Sequence, residues 1–288
     1  MAVALMQRGR QAARTAYAPI RVLIEHEGFE LAGYLAFTAL FSLFPFLIFL
    51  AALAGFLGDA EAANAFIDFL FEFTPADVAE TLAPAVRNVM ESRRGDLMTV
   101  GIVVALWTSS AGIEALRVVL DRAYGVRENR SLVVLRLQSI GLVIIASFAF
   151  FVASITVIAG PLIWEFIDRL FGLGTNVRLM WIAARYIIGI MTLFGVLLAM
   201  HRWLPPRRFP WRDLAPGVVV TLILWVLISS GLSFYLGRLG DWSATYGALG
   251  GVVITLMFLY LVAIAFILGA ELNAFIWRRR HPQLAEVI

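Results

Sequence analysis

Six long apolar runs recur along the chain between residues 31 and 277, with no long polar segment separating them. A helix rises 1.5 Å per residue and the hydrocarbon core of a bilayer is about 30 Å thick, so roughly 20 apolar residues make one crossing. The runs fall at about 32–57, 97–116, 137–163, 180–201, 214–236 and 247–276. They predict an all-α integral membrane protein with six transmembrane helices, forming a single membrane domain over 1–288. Composition agrees: 61% of residues are hydrophobic and 15% charged, whereas soluble domains are about half apolar and a quarter charged. The second run is the most interrupted, by Trp107, Thr108, Ser109, Ser110 and Glu114, and the last is long enough to tilt or overrun the bilayer. About 30 residues precede a first run of more than 20, both too long for a signal peptide. That run is expected to be a retained membrane helix.

Arginine supplies every positive side chain, and its placement orients the bundle, because cytoplasmic loops retain an excess of basic residues. Sixteen of the 23 lie on one side, in groups running from Arg8 to Arg21, Arg117 to Arg136, Arg202 to Arg212 and Arg278 to Arg280. Both termini are therefore expected in the cytoplasm, with the chain in a bacterial inner membrane. The intervening segment 58–96 carries Asp59, Glu61, Asp68, Glu72, Asp77, Glu80, Glu91 and Asp96, which suits a periplasmic position. Within it Phe66, Phe69, Leu70 and Phe73, then Val78, Leu82, Val86 and Val89 beyond Pro75, recur at helical spacing. Two short amphipathic helices capping the bundle, or lying in the interface plane, fit that pattern. Residues 1–30 read as a cytoplasmic amphipathic arm, broken near Pro19, resting on anionic lipid.

The chain lacks cysteine, and His26, His201 and His281 are far apart with no metal-ligand spacing. The glycine-rich stretch from Tyr246 to Val252 lacks a phosphate-loop pattern and reads as helix packing. Hence no catalytic residue, metal or cofactor is expected, nor an enzyme.

Charged groups in membrane spans are costly and face protein or water. Glu114 and Arg117 are one turn apart and placed to pair. Arg185, one turn into the fourth run, reaches headgroups by snorkelling or joins a polar pathway. Glu271 and Asn273 close the sixth run, either pairing with nearby arginines or meeting Glu114 in a functional cluster. Among helix breakers, Pro45 with Ser42 kinks the first run, Pro161 ends the third, and Pro216-Gly217 starts the fifth.

Four stretches carry a resemblance: LAFTALFSLFPFLIFL at 35–50, LWTSSAGIEALRVVLDRAYGVRENR at 106–130, LAPGVVVTLILWVLISSGLSFYL at 214–236 and DWSATYGALGGVVITLMFLYLVAIAFILGAELNA at 241–274. The chain resembles the YihY/BrkB inner-membrane proteins, once labelled ribonuclease BN, over nearly its whole length. The resemblance implies six helices with cytoplasmic termini and little biochemistry. It draws attention to Ser42, Pro45, Trp107, Ser109, Gly112, Arg117, Arg130, Pro216, Gly217, Tyr235, Tyr246, Gly247, Gly251, Glu271 and Asn273. Metal-dependent RNA cleavage would need clustered ligands and a soluble surface for RNA, and the sequence displays neither. No nucleic-acid partner is expected.

The candidate polar cluster is thus Glu114, Arg117, Arg130, Glu271 and Asn273, and the candidate kink or pathway residues are Ser42, Pro45, Trp107, Ser109, Arg185, Tyr235 and Tyr246. The leading expectation is a transporter or flippase-like protein for a lipid or other amphiphilic envelope substrate. Three spans on each side of the midpoint give the halves opposite orientations, as in inverted-repeat transporters. Without a nucleotide-binding motif, a driven cycle would rely on a gradient or a partner, with Glu114 and Glu271 as proton-coupling candidates. The alternative is a non-transporting assembly protein of the envelope. Membrane lipids, a second copy of the chain or an envelope complex are the expected partners.

Overall fold

The computed structural model describes residues 21–57, 95–171, 175–238 and 248–285. The expected cap over 58–96 lies outside these up to residue 94, its last two residues belonging to the second spanning helix, and residues 1–20 of the arm and Tyr246 lie outside them too. All regular structure among the described residues is helical: α1 Gly28–Leu57, α2 Gly95–Tyr124, α3 Leu132–Phe171, α4 Thr175–Trp203, α5 Trp211–Arg238, α6 Ala248–Arg280 and a final turn, α7, Pro282–Ala285. The six helices α1 to α6 are long and apolar enough to cross a membrane.

Several helices run beyond the expected bounds, and at two of these ends the structure shows why. α2 continues two turns beyond residue 116 because Val119, Leu120, Ala123 and Tyr124 bury an apolar face there. Its polar residues do not interrupt it, since Thr108, Ser109 and Ser110 hydroxyls donate back to the carbonyls of Val104, Leu106 and Trp107. Gly125, at φ 68°, then ends the helix. Its N–H donates to Arg122 O, and Val126 N–H donates to Asp121 O, satisfying the last carbonyls. α3 runs through residue 161 to Phe171, so Pro161 does not end it. A proline inside a helix deletes one backbone donor, and the helix continues past it. α5 starts at Trp211, which leaves Pro216 inside the helix and frees the carbonyl of Arg212. Arg280 Nη1 donates to that carbonyl at 3.4 Å and to Asp213 Oδ1 at 2.5 Å.

Residues 21–25 are helical, and the chain turns at His26 and Glu27 before α1, Glu27 having φ 58°. Among the described residues the chain turns at His26–Glu27, and the expected break near Pro19 lies outside them. Gly28 is required there, since a Cβ would stand 2.7 Å from the carbonyl oxygen of Leu23.

Among the described residues α5 packs on α6 and α1 on α2 about equally extensively, followed by α1 on α6. The α5–α6 crossing is a backbone contact. A Cβ on Gly217 would lie 2.0 Å from Gly269 O, and one on Gly269 would lie 2.6 Å from Gly217 O. Small residues allow such an approach in membranes, where lipid is as apolar as a side chain and close packing must supply the attraction. α3 and α4 flank this frame. Met180, Tyr186, Ile187, Ile190 and Met191 are all exposed along α4, as suits a surface solvated by acyl chains.

Candidate functional site

All six spanning helices contribute to one cavity of about 350 Å³ in the middle of the bundle. Its wall includes Ser42 and Phe46 from α1, Ser109 and Gly112 from α2, and Ala146 from α3. Leu193 and Met200 from α4, Trp225 from α5, and Ala263 and Phe266 from α6 complete it. The volume is within the range of small-molecule sites, and the wall is almost wholly apolar. Ser109 spends its hydroxyl on Leu106 O at 3.1 Å, and Trp225 spends its indole N–H on Val262 O at 3.0 Å. The space thus solvates alkyl groups and offers an ion almost nothing. Ser42 and Gly112 set the α1–α2 wall, because a Cβ on Gly112 would press Ser42 Oγ at 3.3 Å.

Polar residues lie nearer the arginine-rich end, in three separate arrangements. Arg117, 3% exposed, donates from Nη2 to Leu135 O at 3.0 Å and to Ser139 Oγ at 2.8 Å, fastening α2 to α3. Its Nη1 lies 3.5 Å from Glu114 Oε2, and Arg136 approaches the other Glu114 oxygen at 3.5 Å. Arg136 also donates to Ser110 Oγ and lies 4.1 Å above the half-exposed ring of Trp107.

The second arrangement joins the N-terminal elbow to α6. His26 Nδ1 is 2.7 Å from Glu271 Oε1, Glu271 is 1% exposed, and Arg278 stands 3.8 Å from its other oxygen. Alongside, Tyr124 Oη is 2.8 Å from His201 Nδ1, with the Tyr124 ring stacked on Phe209 at 4.4 Å. Asn273 is fully buried and its side-chain oxygen accepts the Gly217 N–H at 2.7 Å.

The third is centred on Arg130, in the α2–α3 connection. It chelates Glu128 through Nε at 2.9 Å and Nη2 at 2.5 Å, and donates to Gln138 Oε1 at 3.0 Å and Leu204 O at 2.6 Å. The guanidinium and two backbone N–H groups hold the Glu128 carboxyl down at about 2, and the same pairing raises Arg130. A depressed carboxyl stabilises the fold above its ordinary range, and that contribution is lost as pH falls through the folded value. Glu128→Gln should therefore cost about 1 kcal/mol at neutral pH. Denaturant unfolding in detergent should find this gap closing as pH falls from about 4 toward 2.

The five cluster residues do not converge on one cavity. Glu114 and Arg117 lie at the α2–α3 interface, Arg130 in the loop, and Glu271 and Asn273 against α1 and α5; none lines the central cavity. Of the pathway residues, Ser42 and Ser109 do line it, whereas Pro45, Trp107, Arg185 and Tyr235 do not. Sequence reasoning passed over His26, Tyr124, His201, Gln138 and Ser139. The only signal was three histidines in a chain poor in titratable groups. Among the described residues no three His, Asp or Glu side chains gather as metal ligands.

Over residues 20–286 the sequence matches the family described as Virulence factor BrkB. It is 32% identical over 255 residues to the ribonuclease-like protein YfkH of Bacillus subtilis, covering 88% of this chain and 92% of that one. A UPF0761 membrane protein of Chromobacterium violaceum is 24% identical, the match covering 88% of this chain and 61% of the relative. UPF0761 membrane protein Smlt0865 of Stenotrophomonas maltophilia is 25% identical, at 85% and 57%. The chain spans about three fifths of the length of these two relatives. No solved structure matches.

Proposed function

The chain belongs to the virulence factor BrkB family of membrane proteins, and from that premise we propose that it accommodates and moves a lipid or other amphiphilic envelope substrate within the bacterial inner membrane. The observation that carries the reading is the apolar cavity of about 350 Å³ reached by all six helices. A bundle serving only as a scaffold gains packing energy by closing such a space. An apolar space at mid-bundle suits an alkyl chain, and polar groups gathered toward one end suit a headgroup. The arginine-rich loops support cytoplasmic termini through the basic bias of cytoplasmic loops.

Translocation of a fluorescent phospholipid in liposomes tests this. The protein should accelerate flipping over empty liposomes, and Ala39→Phe or Ala146→Phe, which put a ring into the cavity, should return flipping to the empty-liposome rate. Equal rates in the parent and both filled variants would exclude passage through this space and favour an assembly role.

A further inference from the structure

We propose that the cleft between the α2–α3 and α4–α5 connections binds the phosphate of an anionic phospholipid, with an acyl chain laid along the outer face of α3. Two adjoining cavities carry the argument. The outer, about 740 Å³, is lined by Arg127, Asn129, Arg130 and Arg207. The inner, about 430 Å³, is lined by Arg130, Gln138 and Arg208 above Gly141, Leu142 and Ile145. Arg130 and Pro206 belong to both, so the two form one cleft.

The cleft is built rather than incidental. Arg130 donates to Leu204 O, and Gln138, which accepts from Arg130, donates in turn to Trp203 O, so the two connections are held in register. Within this frame Arg130 is neutralised by Glu128. Arg127, Arg207 and Arg208 have no carboxylate within 4 Å among the described residues. The Arg207 guanidinium lies 4.6 Å over the Trp277 ring, which fixes it without consuming its charge. Planar guanidinium groups lining one cleft can match phosphate oxygens in geometry and charge.

The inner wall selects a lipid over a free anion. No atom lies within 4 Å of the position a Cβ would take on Gly141, and Ile145, one turn on, is 48% exposed. Together with Leu142 they form an apolar trough leading directly from the arginines along a membrane-spanning helix. A soluble phosphate gains nothing from that trough, whereas an alkyl chain buries there. The proposal is independent of the central cavity, and its test reads lipid retention, not translocation.

The test is native mass spectrometry of the full chain in detergent, titrated with phosphatidylglycerol or phosphatidylcholine. The variant Arg127→Gln/Arg207→Gln/Arg208→Gln should hold phosphatidylglycerol about 100-fold more weakly. The control Arg169→Gln/Arg178→Gln/Arg238→Gln, at the opposite helix ends, should match the parent. Phosphatidylcholine, whose choline offsets the charge of the same phosphate, should be weakened much less than phosphatidylglycerol by the first triple variant and not at all by the control. Ile145→Asn should weaken phosphatidylglycerol while leaving the arginines in place, and inorganic phosphate should compete poorly. Should the first triple variant lose its fold, the single exposed-loop change Arg127→Gln gives the same test at about fivefold. Equal losses in the two triple variants would overturn the site. Full displacement by inorganic phosphate, with Ile145→Asn silent, would overturn the lipid and leave a phosphate site.

Discussion

Gly217→Ala should destabilise the bundle by about 3 kcal/mol, at the upper end of what overpacking usually costs. The added methyl would stand 2.0 Å from the Gly269 carbonyl oxygen and 2.4 Å from Asn273 Oδ1. The first of these is backbone and cannot swing aside, so α5 and α6 must part. Parting also strips Asn273 of the Gly217 N–H, leaving a fully buried amide oxygen without its donor. Gly269→Ala should behave alike, since its methyl would meet Thr221 Oγ1 at 2.1 Å and Gly217 O at 2.6 Å. Gly195→Ala and Gly231→Ala, where no atom lies within 4 Å, should leave stability unchanged or slightly raised. Unfolding in mixed micelles under rising SDS separates these cases. Gly217→Ala unfolding with the parent would mean the two backbones do not touch.

Arg117→Met should cost about 1 to 3 kcal/mol, the usual consequence of leaving a buried polar group without its hydrogen-bond partner. The loss takes the guanidinium donor from the buried Ser139 Oγ, while Leu135 O keeps its helical N–H donor, and it leaves Glu114 facing Arg136 alone. By contrast, Arg122→Met removes an exposed pair with Glu27 at 3.5 Å and should cost well under 1 kcal/mol. The same SDS titration compares them. Combining Arg117→Met with Ser139→Ala should recover part of the loss, because the hydroxyl no longer needs a partner. A double variant as unstable as the sum of the singles would refute the coupling between α2 and α3.

The six helices were legible because apolar length is a property of contiguous residues. Where the sequence misleads, contacts between distant segments decide. The last turns of α2 contain Arg117, Asp121 and Arg122 and resemble a loop, yet Val119, Leu120 and Ala123 bury, and Arg117 buries with them against α3. Pro161 and Pro216 looked like boundaries because proline is read locally, whereas Arg280, 68 residues beyond Arg212, replaces the donor that Pro216 lacks. Grouping Glu114 with Glu271 followed from both being acidic in apolar runs. The structure separates them because each finds its own cation: Arg117 and Arg136 for one, His26 and Arg278 for the other. The central cavity has no signature in sequence at all, since its apolar wall is made of residues indistinguishable from core.

The bare contact of Gly217 with Gly269 also bears on how the bundle can deform. Side chains between two helices act as a compliant layer, changing rotamer as the axes slide. Where two main chains touch directly that layer is missing, and the pair moves as one stiff beam. The wall contributed by Trp225, Ala263 and Phe266 is therefore a fixed jamb. On the proposed reading, a substrate would pass by displacing α3 and α4, which are held less extensively than the other four helices.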